Sequence, residues 1–152
     1  MSTVDQFESV FKAAAKTTYL HEAPSLGKVV LVTDLDNSQA ALYLQTVRNF
    51  LGEILPENDT DWIVLHKNDY QSVKDLLENV EQHRPELLVT YRNLCSEAWR
   101  WPYSLGEHLD VLTQVMSAPV LVLPHPDRDD RVELLANPPK KIMAVSGHLC
   151  GE

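Results

Sequence analysis

The 152-residue sequence predicts an α/β domain: an open parallel sheet of four to five strands with helices on both faces, plus one N-terminal helix. Three observations carry this. Short apolar runs rich in valine and leucine recur at Val29–Val32, Trp62–Leu65, Leu87–Thr90 and Val120–Leu123. Between them, apolar residues repeat every three or four positions, the spacing of one helical face. Strands that alternate with helices imply right-handed crossovers and therefore parallel pairing.

At the N-terminus, Val4, Phe7, Val10, Phe11 and Ala14 mark an amphipathic helix, and His21–Gly27 is a breaker-rich connector. Residues 1–27 thus precede the domain proper, which spans 28–124. Val29–Val32 is continuous rather than alternating, as expected of a strand buried on both faces. Asp34-Leu35-Asp36-Asn37-Ser38 turns the chain into a helix whose face is Ala40, Leu44, Val47, Leu51 and Ile54, ended by Pro56. After Trp62–Leu65, Asp69 is the expected N-cap of a helix lined by Val73, Leu76, Leu77 and Val80, which Pro85 stops. Leu87–Thr90 leads into a long loop, Tyr91–Tyr103. A third helix follows, with Leu105, Leu109, Leu112 and Val115 toward the core, and then Val120–Leu123 between two prolines. Residues 125–152 read as a linker and a terminal strand, Ile142–Val145, which either adds to a sheet edge or remains a loose tail.

Charge narrows the function classes. The formal net charge is -9, and between Glu53 and Glu86 nine acids face three bases (Lys67, Lys74, Arg84). Such a surface repels a phosphate backbone, so nucleic acid is not an expected partner. No stretch approaches the ~20 apolar residues of a membrane span, and the first residues lack the pattern of a secretory signal. Cys95 and Cys150 are too few for a disulfide framework, and reduced thiols in a cytoplasmic protein are the expectation.

In a doubly wound sheet, ligands sit beyond the carboxyl ends of the strands. Asp34 and Asp36 stand there, where carboxylates hold a metal or a ribose; equally, Asp36 or Asn37 caps the helix. The loop Tyr91–Tyr103 interleaves Trp99, Trp101 and Tyr103 with Arg92 and Arg100. It suits stacking on a base or partner, a cover over the sheet end, or a self-association face. Ser104-Leu105-Gly106-Glu107 fits a capping box, which would occupy the helix amides that otherwise bind an anion. His66 and His125 lie at strand ends and would form a metal pair only if they met. There is no G-x-S-x-G, no G-x-x-x-x-G-K-[ST] and no G-x-G-x-x-G, so neither a serine nucleophile elbow nor a common phosphate loop is present. A receiver domain is excluded: no acceptor Asp ends the third strand and no Lys follows the fourth.

The order of these pieces resembles the universal stress protein family. Val32-Thr33-Asp34-Leu35-Asp36-Asn37-Ser38 is similar to that family's strand-ending V-D-G-S, and Ile63–His83 and Pro85–Thr90 are similar to its third and fourth strand regions. Leu105-Gly106-Glu107 through Ala118-Pro119-Val120-Leu121-Val122-Leu123-Pro124 resembles its L-G-S helix and A-P-C-P-V-L-V-V ending. The resemblance implies a Rossmann-like fold of the adenine-nucleotide α-hydrolase kind and a dimer. One strand–helix unit of the family is missing after the first helix. Against the family's G-x2-G-x9-G-[ST] loop, Tyr91 and Leu94 occupy the first two glycine positions, Gly106 remains, and Glu107 replaces the hydroxyl residue. Lys140–His148 resembles the opening strand of a second copy, so a tandem partner domain is a further expectation.

The expected function is a non-enzymatic, stress-response regulatory domain acting through homodimerisation and partner binding, with no cofactor. The alternative is a sensor of ATP or AMP. In it Asp34 and Asp36 lie at the ribose end, while Arg92 and the Gly106 amide hold phosphate.

Overall fold

A computed structural model describes residues 26–52, 60–97, 101, 103–128, 135–137, 141 and 143. The expected N-terminal helix, Trp99, Arg100 and most of the terminal strand lie outside the described residues. Among the described residues, four strands and three helices alternate: β1 (Lys28–Val32), α1 (Asn37–Leu51), β2 (Asp61–Leu65), α2 (Val73–His83), β3 (Leu87–Tyr91), α3 (Glu107–Val115) and β4 (Val120–Leu123). All pairings are parallel, and the strand order is β2-β1-β3-β4.

The order explains the burial. β1 is central, between β2 and β3, and Val29–Val32 are fully buried, whereas the outer strands β2 and β4 are buried only in part. The chain moves one way from β1 to β2, then back over β1 to β3 and on to β4. Right-handed crossovers therefore set α1 on one face and α2 and α3, which touch each other, on the opposite face. Side chains alternate between faces along a strand, so the register puts Leu31, Val89, Tyr91 and Leu123 on one face and Val30, Val32, Leu88 and Thr90 on the other. The ring of Tyr43 in α1 meets the ring of Tyr91 edge-on, centroids 5.8 Å apart, which fixes the first of these as the α1 face.

Each helix end has a local cause. Asp36 is the N-cap of α1: its Oδ1 accepts from the Ser38 and Gln39 amides, both at 2.9 Å. Inside α1 the buried residues are Ala40, Tyr43, Val47 and Leu51. Tyr43 is turned inward beside Leu44, which packs partly buried against the core as expected, and the Tyr43 hydroxyl donates to the Pro124 carbonyl at 2.9 Å.

Helix α2 starts at Ser72, whose hydroxyl accepts from the Asp75 amide at 3.2 Å, and not at Asp69. Asp69 instead closes the preceding turn by accepting from the His66 amide at 2.7 Å. At its far end Arg84 adopts a left-handed conformation (φ 48°) before Pro85.

The capping box does not form. Helix α3 begins after Gly106, which has φ 83°, and carries no side-chain cap. Ser104 lies two residues before the N-cap position, and its Oγ accepts from the Gly106 amide at 3.2 Å. The glycine breaks the helical path between Ser104 and Glu107, so the S-x-x-E spacing spans a loop rather than a first turn. Leu109 and Leu112 are buried as expected, but Leu105 and Val115 are 43% and 54% exposed. Among the described residues, no helix is long and apolar enough to cross a membrane.

Candidate functional site

The strand order reverses at β1, so the crevice of this sheet opens at the carboxyl ends of β1 and β3. Thr33 and Asp34 follow β1, Tyr91 ends β3, and His125 follows β4 after Pro124. Parallel pairing brings these ends together, and their side chains form one hydrogen-bonded knot.

Tyr91 is at its centre, fully buried. Its hydroxyl donates to Asp34 Oδ1 and accepts from the Asp34 amide at 3.0 Å. The Thr33 hydroxyl is 2.8 Å from the same oxygen. Because the Tyr91 proton goes to the carboxylate, Thr33 must be the donor in that pair, while its own oxygen accepts from the Leu35 amide at 3.1 Å. Asp34 Oδ2 accepts from the Cys95 amide at 2.9 Å, and His125 Nε2 is 3.8 Å from Asp34 Oδ1. The His125 ring packs edge-on against Tyr91, centroids 4.4 Å apart. Tyr70 closes the side toward α2, donating to the Thr33 carbonyl at 3.0 Å and lying 3.4 Å from Cys95 Sγ.

The electrostatics follow from this wiring. Burial pushes the Asp34 carboxyl upward, but the contacts from His125, Tyr91 and the Cys95 amide outweigh it and hold the group well below the usual carboxylate range. Burial, then the bond to Asp34, raises the Tyr91 hydroxyl far above its ordinary value. Burial and the Cys95 contact do the same for Tyr70. Burial raises the Cys95 thiol as well, which keeps it protonated rather than a ready nucleophile. His125 has both ring nitrogens engaged, since Nδ1 accepts from the Asp127 amide at 3.0 Å.

The four residues singled out in the sequence are distributed around this knot. Asp34 belongs to it, with both carboxylate oxygens engaged. Asp36 is exposed and serves α1 as its cap, and the bonds from Gln39 and Ser38 hold its carboxyl below the ordinary value. Arg92 is half-buried at the start of the β3–α3 loop. Gly106 stands at the head of α3 with its amide directed to Ser104. Its positive φ favours glycine, and a Cβ there would come within 2.8 Å of the Asn93 Cα.

Asn93 itself is 1% exposed, and neither its amide oxygen nor its amide nitrogen has a partner. Leu94 is fully buried. Tyr91 and Leu94, the two residues that the resemblance set against loop glycines, are thus both buried side chains.

His66 and His125 do not form a pair. They follow β2 and β4, the two outer strands, so two strands lie between them, a separation of about 14 Å at ordinary strand spacing. Among the described residues, no group of three or more His, Cys, Asp or Glu is arranged to hold a metal ion. Trp101 and Tyr103 do not cover the sheet end: they are 69% and 97% exposed. A shallow groove of about 300 Å³ lies beside the knot, lined by Asp69, Tyr70, Asp75, Glu78 and Asn79 among others, and its three carboxylates make it hostile to phosphate.

The roles of Tyr91, Thr33 and Tyr70 are not legible from sequence spacing. Their signal is topological: a hydroxyl at the end of β3 meets a carboxylate at the end of β1 only once those strands are known to be neighbours. Fold and site together define a Rossmann-like α/β domain whose switch-point crevice is occupied by its own side chains. No family model, no curated protein and no solved structure matches the chain.

Proposed function

We propose that this chain is a stress-protein-like regulatory domain that works by self-association and partner binding, without catalysis at the switch point. The observation that carries this reading is the closed crevice. Asp34 is bonded by Tyr91 and the Cys95 amide, the His125 ring lies against both Asp34 and Tyr91, and Leu94 is fully buried. Recognition then falls to the surface. Trp101, Tyr103 and Leu105 expose apolar area on one loop, and β4 is an outer strand with Val122 44% exposed. Aromatic side chains of this kind are enriched at association faces, and outer strands are sites of further pairing. The test is sedimentation of the chain and of a Trp101→Ser, Tyr103→Ser double variant over a wide concentration range. A concentration-dependent dimer that the double variant weakens supports the reading. A monomer throughout removes the self-association part of it.

A second reading, a sensor of an adenine nucleotide, is favoured by one observation: α3 begins without a side-chain cap, beside the unpartnered side-chain amide of Asn93. A bare helix N-terminus attracts anions. In this reading Asp36 faces the ribose, and Arg92 and the head of α3 hold phosphate, so Arg92→Ala weakens nucleotide binding. An unchanged affinity removes the assignment.

A further inference from the structure

We propose that His125 is a pH-sensitive latch on the segment by which the chain leaves β4. The inference goes beyond the partner-binding reading and does not depend on it, because every contact involved lies within one copy of the chain.

The segment Pro124–Arg128 is held at three points. The Tyr43 hydroxyl donates to the Pro124 carbonyl at 2.9 Å, the Asp127 amide donates to His125 Nδ1 at 3.0 Å, and Arg128 Nη1 donates to the Ser96 carbonyl at 3.3 Å. The middle contact depends on protonation. An amide donates to Nδ1 only if that nitrogen carries no proton, so the neutral ring bears its hydrogen on Nε2. Nε2 faces Asp34 Oδ1 at 3.8 Å, with the two side chains only 8% and 10% exposed.

Uptake of one proton from solvent changes the balance. The proton goes to Nδ1, and two N–H donors then point at each other, so the Asp127 amide has to turn away. Nothing breaks on the Nε2 side. There the ring becomes a cation against a buried carboxylate, and the attraction to Asp34 grows. The ring stays in place and the backbone moves.

The surroundings favour this direction. From the loop after β1, Asp34 presents a carboxylate to the ring; from β3, Tyr91 presents its ring; from α1, Tyr43 packs on Tyr91 and holds Pro124. The β3–α3 loop contributes Cys95, whose amide binds the other Asp34 oxygen, and Ser96, which holds Arg128. The segment's own charged groups are Asp127 and Arg128. Histidine is the side chain that ordinarily changes charge between about pH 5 and 8, the range across which the latch is tested.

The test follows the Asp127 amide by hydrogen exchange and the His125 ring by ¹⁵N chemical shifts at pH 7.5 and 5.5. The full chain is compared with the variant His125→Asn, whose side-chain oxygen still accepts from Asp127 but does not titrate. In the native chain, Nδ1 is proton-free at the higher pH and protonated at the lower. After correction for intrinsic rate, Asp127 protection falls about tenfold or more between them, the scale of a local opening. In His125→Asn, protection is the same at both pH values. Equal protection at both values in the native chain overturns the proposal, as does the same loss in His125→Asn. If the variant fails to fold, the ring signals of the native chain decide, and a proton on Nδ1 at pH 7.5 overturns it.

Discussion

Removing the Tyr91 hydroxyl isolates the chemistry of the crevice better than any other single change. Tyr91→Phe keeps the buried ring but leaves the Thr33 hydroxyl, the Asp34 amide and Asp34 Oδ1 without their shared partner. Buried groups stranded in this way cost about 1–3 kcal/mol, so chemical denaturation of Tyr91→Phe is expected to show a loss of that size. Asp34 contributes to the acid limb of stability. Its carboxyl is held below the unfolded value, so its contribution is present above about pH 4 and is lost as pH falls through that region, where the unfolded chain takes up the proton first. Asp34→Asn should flatten a melting-temperature profile between pH 5 and 2, values chosen to bracket that range. The alkaline limb has the opposite cause. Tyr70 and Tyr91 are raised above their unfolded values, so their contribution is present below about pH 10 and is lost above it.

The helix ends show how far local sequence rules reach. The Asp36 cap of α1 was open to reading because Asp-Asn-Ser directly precedes the apolar period, and only its competition with a ligand role left a choice. Asp69 and Ser104 were misleading for one physical reason. A good capping residue can close a turn as well as a helix, and the backbone path decides which. Ser72→Ala, which removes the true cap of α2, is expected to cost about 1 kcal/mol. Ser104→Ala should cost clearly less in the same denaturation measurement. Gly106→Ala probes the head of α3 directly. The added methyl meets the Asn93 backbone at 2.8 Å in a conformation that L-residues rarely adopt, so a loss of about 1–3 kcal/mol is expected.

For the whole molecule, the four strands and their parallel pairing were legible because Val29–Val32 and its counterparts are continuous apolar runs between helical periods. The order β2-β1-β3-β4 was not, since period alone does not say which strands are neighbours. The candidate site depends on that order. Asp34 could be named from its position after β1, but its partners Tyr91 and His125 come from β3 and from the end of β4. Long-range assembly also closes the crevice, and that closure is the basis for placing function at the surface. The most direct test is a thermal-shift titration of the purified chain with ATP, ADP and AMP, with and without Mg²⁺, because any ligand that binds only the folded state raises the melting temperature. A closed crevice predicts no shift at saturating nucleotide. A dose-dependent rise would contradict it, and would make the head of α3, with Asn93 and Arg92 beside it, a nucleotide site.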